Sequence, residues 1–432
     1  MVNRIIKTLL NRFEHVADGR ADNKQLPLPA LLAQSFAMFH LKDPSMLQFR
    51  RQHEVRADNL RRVYGVDKLP TDASVRQAVD QVEPNELQAG FDDLAALLNE
   101  EQVWQQRRVL NARFTAVSVD ATQYYCTCNA KRSCPHCIVK KHRNGKTSYA
   151  HQLLGAVNVR PDSVVVLPVG GEAIVKQDGC QKNDCELNAA KRLLPQVRRT
   201  LGEAEELLFL FDALYHNDPL IELVHSPAVR GHYIIGAKGD NYVRIQADRL
   251  AEQGKLKTLR WHDAKFTYTA TYTNGLILNG ANQDIKVNYF KVVQTKLHDE
   301  QSVVFVCDWI TDLPIDTHNI RSLVALGRSR WKIENETFNT LKNQGYNLEH
   351  NYGHGQRYLS TNFALLMLLA FLTDQIALCV DELFQKAKQV CGSFKLLWQR
   401  IREVFDLAPV KSIEAIYRFI TQRKLLDIPL LE

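Results

Sequence analysis

Two apolar runs that each close on an aspartate constrain this chain most: FTAVSVD at 114–120 and ELLFLFD at 206–212. The first is rich in β-branched residues and predicts a strand. The second is continuously apolar, as in a central strand buried on both faces. An acid ending such a run, Asp120 or Asp212, is costly to bury unless it caps a turn, pairs with a cation or holds a metal. Strands are also predicted at 148–159 and 163–169, joined by the turn Arg160-Pro161-Asp162, with breaks at Gly170-Gly171 and Asp178-Gly179. A helix is predicted from about 184, with Asn183 as cap and Glu186 three positions on. Pro195 is expected to kink or end it. After the run at 206–212 come a short helix and a strand at 232–237. Strand, strand, strand, helix, strand, helix, strand is an α/β order.

The flanks differ in pattern. Residues 1–112 are predicted to be helical, 113–240 to form the first part of the α/β core, and 241–304 a β-rich insertion. Within the insertion, strands at 266–273 and 285–293 enclose the turn signals Asn274-Gly275 and Asn279-Gly280. A strand at 302–310 leads into the second part of the core, 305–345, whose helix spans 319–342. Residues 346–432 are again helical. Hydrophobic residues at 45% and charged residues at 24% exclude a disordered or collagen-like chain. A net charge of +7 fits a nucleic-acid partner without demanding one. The first twenty residues carry no secretory pattern, so the nine cysteines are expected to be reduced and the protein cytoplasmic. The most apolar run, 363–372, ends in Thr373-Asp374-Gln375, short of the roughly 20 residues of a membrane span. It is expected to be a core helix, with no membrane partner.

Taken as one continuous α-helix, 319–342 places Ile320, Val324, Gly327, Phe338 and Lys342 on a stripe with Trp331. Glu334 falls inside the apolar stripe, to one side; Glu336 points away and Ile333 lies off the stripe, so the helix is expected to pack on a second surface as well. Arg330, four residues before Glu334, could pair with it. A metal ion shared with Asp120 and Asp212 is the alternative.

The segment Arg330-Trp331-Lys332-Ile333-Glu334 … Phe338 … Lys342 resembles the Arg–x3–Glu–x6–Lys end of the Tyr–Arg–Glu–Lys motif of DDE-type insertion-sequence transposases. The resemblance extends over roughly residues 50–375, including an Asp after the first strand, an Asp after the fourth, and a β-rich insertion before the Glu. Two positions depart from the motif. Gly327 stands where the family has Tyr, and seven residues rather than six separate Glu334 from Lys342.

The resemblance implies an RNase H-like mixed sheet with a β-rich insertion and helical flanks. It implies that Asp120, Asp212 and Glu334 are catalytic and hold Mg²⁺ (or Mn²⁺). The expected activity is binding of terminal inverted repeats, then cleavage and strand transfer on double-stranded DNA, both element ends and target, by a homodimer. Arg330 and Lys342 would hold phosphates. Trp331 and Trp309 would be core residues, or one would stack on an unpaired base. The cluster Arg50, Arg51, Arg56, Arg61 and Arg62 is either a solvated helix face or a DNA-binding surface. A nuclease or resolvase of the same fold, and a catalytically decayed DNA-binding protein, are the competing readings.

A second constellation is Cys126-x-Cys128-x5-Cys134-x2-Cys137, with His136, His142 and His151 close by and Cys180 and Cys185 as a further pair. Four thiolates could hold one structural Zn²⁺. Free thiols are the alternative, as is a zinc-ribbon protein whose acids are incidental.

Overall fold

The computed structural model describes residues 1–20, 24, 26–176, 184–237, 242–297 and 299–422. The predicted break at Asp178-Gly179, the cap Asn183, Cys180 and the boundary at 240 lie outside these residues. Ten strands form one sheet: β1 (Phe114–Thr127), β2 (Ile138–Lys141), β3 (Thr147–Asn158), β4 (Leu167–Ile174), β5 (Glu206–Phe211), β6 (Gly231–Gly236), β7 (Lys257–His262), β8 (Phe266–Ile277), β9 (Lys286–Lys296) and β10 (Asp299–Thr311). Their order is β2-β3-β1-β5-β6-β10-β9-β8-β7, with β4 also paired to β3. The antiparallel set β4–β3–β1 followed by the parallel neighbours β5 and β6 makes this an RNase H-like sheet.

Two strands depart from the sequence expectation. Asp120 does not end β1, which runs on to Thr127 because β3 pairs with it as far as Thr127↔Tyr149. What ends near Asp120 is the parallel partner β5, whose last pairing is Ser118↔Leu210. Nor does Gly170-Gly171 break the chain: β4 starts later than predicted and passes through both glycines, pairing Gly155↔Gly171 and Ala156↔Gly170 before a register shift. The strands from the middle of the chain extend this same sheet. β10 adds antiparallel to β6, with Trp309↔Gly236, and β9, β8 and β7 follow outward. Asn274-Gly275, predicted as a turn between strands, lies inside β8 where the register shifts between Thr273 and Leu276. The turn falls at Asn279, whose side chain accepts from the Ala281 and Asn282 N–H groups.

Three helical expectations change. The helix Glu186–Leu201 begins at Cys185 without a side-chain cap and contains Pro195 without ending there. The helix predicted at 319–342 is three pieces: an α-helix Ile320–Ser329, a π-helical turn Ile333–Phe338 and a short α-helix Asn339–Asn343. The helix Leu359–Val380 continues through Thr373-Asp374-Gln375, where the apolar run stops. It does so because each polar group finds a partner inside the protein. Thr373 donates to the Leu369 carbonyl, Asp374 accepts from Lys42 and Tyr346, and Gln375 accepts the Val166 N–H. By length and composition this helix could cross a membrane, with mean hydropathy 2.2, but 83% of its most apolar window is buried inside the protein.

The two helical flanks share a core. Val2–Glu14, Leu28–His40 and Pro84–Glu100 pack on Leu359–Val380, which in turn lies on β4. Arg56, 1% exposed, pairs with Asp43 at 2.6 Å and with Asp406 at 2.9 Å. Asn59 donates to the carbonyls of Phe405 and Ala408. Buried charges are tolerable only when matched in this way.

Candidate active site

The site is built where β5 ends beside β1. The parallel register runs from Phe114↔Glu206 to Ser118↔Leu210, so two residues further on Asp120 and Asp212 stand level on adjacent strands. Neighbouring strands lie about 4.8 Å apart, and register partners in a parallel pair face the same side. Asp212 caps the turn Ala213–Tyr215, accepting the Leu214 N–H at 2.8 Å. Asp120 accepts the Ala121 N–H at 2.8 Å with one oxygen and the Arg330 guanidinium at 2.7 Å with the other.

Arg330 also reaches Glu334, at 2.9 Å, so one nitrogen of the fork bridges two carboxylates. The Arg330 carbonyl is held by the Ser118 hydroxyl at 2.9 Å. Directly after it the chain leaves α-helical geometry. The π turn lets Ile333 and Phe338 both drop onto the sheet, where they meet Gly155, the cross-strand partner of Asp120. A Cβ at Gly155 would lie 3.1 Å from the Phe338 ring, so the missing side chain is what seats this helix on β1 and β3. A π turn also breaks the 100° phase of a continuous helix. Trp331, expected on the apolar stripe, lies in the break between the α-helix and the π turn and is 52% exposed, while Ile333, expected off the stripe, is fully buried.

One cation between two anions leaves the pair with excess negative charge. Burial first, and then the hydrogen-bonded Glu334, push the Asp120 carboxyl up to about 7. A fourth acid stands nearby. Glu186 is raised by burial and by the charge of Asp212. It accepts the Tyr215 hydroxyl at 3.4 Å. The Tyr215 phenol is itself raised well above its usual range by burial, then by Glu186, Asp120 and Asp212, so one ring lies in the field of three carboxylates. Glu186, Tyr215, Lys140, Gln152 and Asn217 line a cavity of about 390 Å³ beside the acids. In the sequence Glu186 signalled only a helix start.

Hard oxygen donors of this kind suit Mg²⁺ or Mn²⁺. The oxygens of Asp120, Asp212 and Glu334 do not all fall within 4.8 Å of one another.

The remaining predicted residues are placed as follows. Lys342 donates to the Gln123 carbonyl at 2.9 Å and pairs with Glu349 at 3.0 Å. Trp331 lies exposed under the Arg330 guanidinium, 4.6 Å from the ring centre. Trp309 is a core residue, stacked on Phe290. It also explains Gly327: a Cβ there would lie 2.6 Å from the indole, so Trp309 occupies the space a tyrosine would need. Of the basic cluster, Arg56 is buried and structural, while Arg50, Arg51, Arg61 and Arg62 are exposed. Arg61 and Arg62 both lie near Asp58, and Arg50 lies 3.8 Å from Asp72. The four clustered cysteines do not converge. Cys126 and Cys128 are exposed, whereas Cys134 and Cys137 meet His151.

Known proteins resemble the chain in two respects. Residues 163–372 match the family described as the transposase DDE domain. The matched stretch contains Asp212 and Glu334 and begins after Asp120 and the thiol cluster. The solved synaptic complex of piggyBac transposase with hairpin DNA is similar at 10% identity and a TM-score of 0.40, over 100% of this chain and 83% of that one. No curated protein matches the sequence.

Proposed function

We propose that this protein is a DDE transposase that binds the terminal inverted repeats of its own element, cuts the DNA and joins the freed 3′-hydroxyls to target DNA. The observation that carries the reading is the meeting of Asp120 and Glu334 on one guanidinium, with Asp212 level on the next strand. Asp120, Asp212 and Glu334 would hold a pair of Mg²⁺ or Mn²⁺ ions, which activate the attacking oxygen and stabilise the leaving one. Arg330 presents a planar fork to a DNA phosphate, and Lys342 a point charge. Trp331, half-exposed beside Arg330, offers a ring on which a base next to the cut can stack. Arg50, Arg51, Arg61 and Arg62 lie along the DNA backbone, and two copies hold two ends.

The test uses purified protein, Mg²⁺ and labelled DNA from the boundaries of its own element. Cleavage followed by joined products is expected, and neither should occur with Asp120→Ala, Asp212→Ala or Glu334→Ala. Cleavage without joining would make the protein a nuclease or resolvase. Binding without cleavage would make it a decayed transposase.

A further inference from the structure

The second cluster lies further along β1, outside the carboxylate site. Cys134 and Cys137 bracket a tight turn in which the Cys137 N–H donates to the Cys134 carbonyl at 3.1 Å. Their sulfurs are 3.5 Å apart, and the His151 Nε2 lies 3.3 Å from one and 3.5 Å from the other. With Zn–S near 2.3 Å and Zn–N near 2.0–2.1 Å, a tetrahedral ion sets ligand edges of about 3.8 Å between sulfurs and about 3.6 Å between sulfur and nitrogen. The three observed edges are each within about 0.3 Å of those values. The Cys134 N–H also points at the Cys137 sulfur, at 3.4 Å, an arrangement that favours a thiolate there.

A fourth group comes from a distant part of the chain. His354 lies in the segment joining the Glu334 helix to Leu359–Val380. Its ring stacks on His151 with centroids 5.1 Å apart and planes 13° apart, and its centroid is 4.1 Å from that of Tyr125. Both His354 ring nitrogens are buried and make no hydrogen bond, and neither lies within 4.8 Å of all three ligand atoms, so the ring would have to turn to reach an ion held by them. An imidazole left so is costly, at about 1–3 kcal/mol for each unsatisfied polar group. The same segment is docked on the cysteine turn by His136, whose Nε2 lies 3.0 Å from the Gln356 carbonyl.

We propose that Cys134, Cys137, His151 and His354 form a closed structural zinc site that fastens the segment after the Glu334 helix to the far end of the β1–β3 hairpin. With the His354 ring turned in, two thiolates and two neutral imidazoles would complete a four-coordinate shell and leave no position for water or substrate. The ligands come from the turn after β1, from β3 and from the 345–357 segment, so the ion would cross-link parts of the chain more than 200 residues apart in sequence. Cys126 and Cys128, exposed on the outer side of β1, take no part.

The full-length protein, purified without chelator from zinc-supplemented medium, should carry one zinc per chain by elemental analysis. Cys126→Ser/Cys128→Ser should retain it fully. Cys134→Ser/Cys137→Ser should lose it, and His151→Asn or His354→Asn should weaken retention against a competing chelator at least tenfold. Because the cysteine variants could fail to fold, Co²⁺ exchanged into the wild-type protein provides an independent reading. It should give the ligand-field and thiolate charge-transfer bands of a tetrahedral two-sulfur site. Wild-type protein free of zinc and giving no such Co²⁺ spectrum would overturn the proposal. So would a Cys134–Cys137 disulfide in anaerobically prepared protein, zinc lost with Cys126 and Cys128, or full retention in His354→Asn.

Discussion

The carboxylate centre and the thiol–imidazole cluster lie at two places along the β1–β3 pair, yet they are built on opposite terms. At the first, oxygen donors stand partly open to solvent, Glu334 being 37% exposed, and one arginine is shared by two acids. At the second, Cys137 and His151 are almost wholly buried and the ligand atoms already sit at metal-like spacing. The first arrangement keeps room for DNA and leaves its acids electrostatically frustrated. The second has no room for a substrate and would add stability. A fold that places both along the β1–β3 pair separates chemistry from bracing within one part of the sheet.

The sharpest way to break this contrast is to remove one ligand from each side. Glu334→Ala should lower cleavage by roughly 10³-fold or more, the scale of losing a charge-stabilising group, with little change in melting temperature. Cys137→Ser should do the reverse: it should cost more than about 3 kcal/mol of stability, read by chemical denaturation, and reduce the activity of the surviving folded fraction far less. Gly155→Ala crowds Phe338 and Ile333 beneath the Glu334 helix. It should cost about 1–3 kcal/mol as overpacking and depress cleavage while leaving zinc content unchanged.

Proton linkage sharpens the comparison further. The Asp120 carboxyl sits near 7 in the folded protein, against 3.8 as its ordinary value. Between those values the folded state binds more protons than the unfolded state, so stability falls as pH rises through that window. Asp120→Asn should therefore stabilise the protein at pH 8, by about 1–3 kcal/mol, and this gain should vanish toward pH 4. A gain independent of pH would mean that Asp120 is not held against its own charge. The smallest effect belongs to Trp331→Ala, which should shift stability by less than about 0.5 kcal/mol because the ring is exposed. Any larger effect of that variant should fall on joining DNA ends.

Much of the carboxylate site was legible in the sequence because its signals are local. An aspartate closing an apolar run marks a strand end beside an open edge, although at Asp120 the edge belongs to β5 rather than to β1 itself. The Arg330–Glu334 spacing announced their pairing. The faces of Trp331 and Ile333 were misjudged because the helix is interrupted after Ser329, so one α-helical phase cannot be carried through both pieces. Glu186 was hidden because the same residue type starts helices on surfaces everywhere. The cysteine spacing pointed at metal chemistry but at the wrong partners. Cys126, near the end of β1, and Cys128, just past it, are both exposed. His354 had no local signal at all, since only the tertiary fold brings it to His151.

The shared core of the two helical flanks has a consequence for synthesis. Lys42 meets Asp374, and Asn59 is answered by carbonyls at 405 and 408. A nascent chain leaving the ribosome must hold its early helices without their partners until nearly all of the remaining sequence has emerged. Chaperone supply during translation should therefore set how much of this protein reaches its finished form.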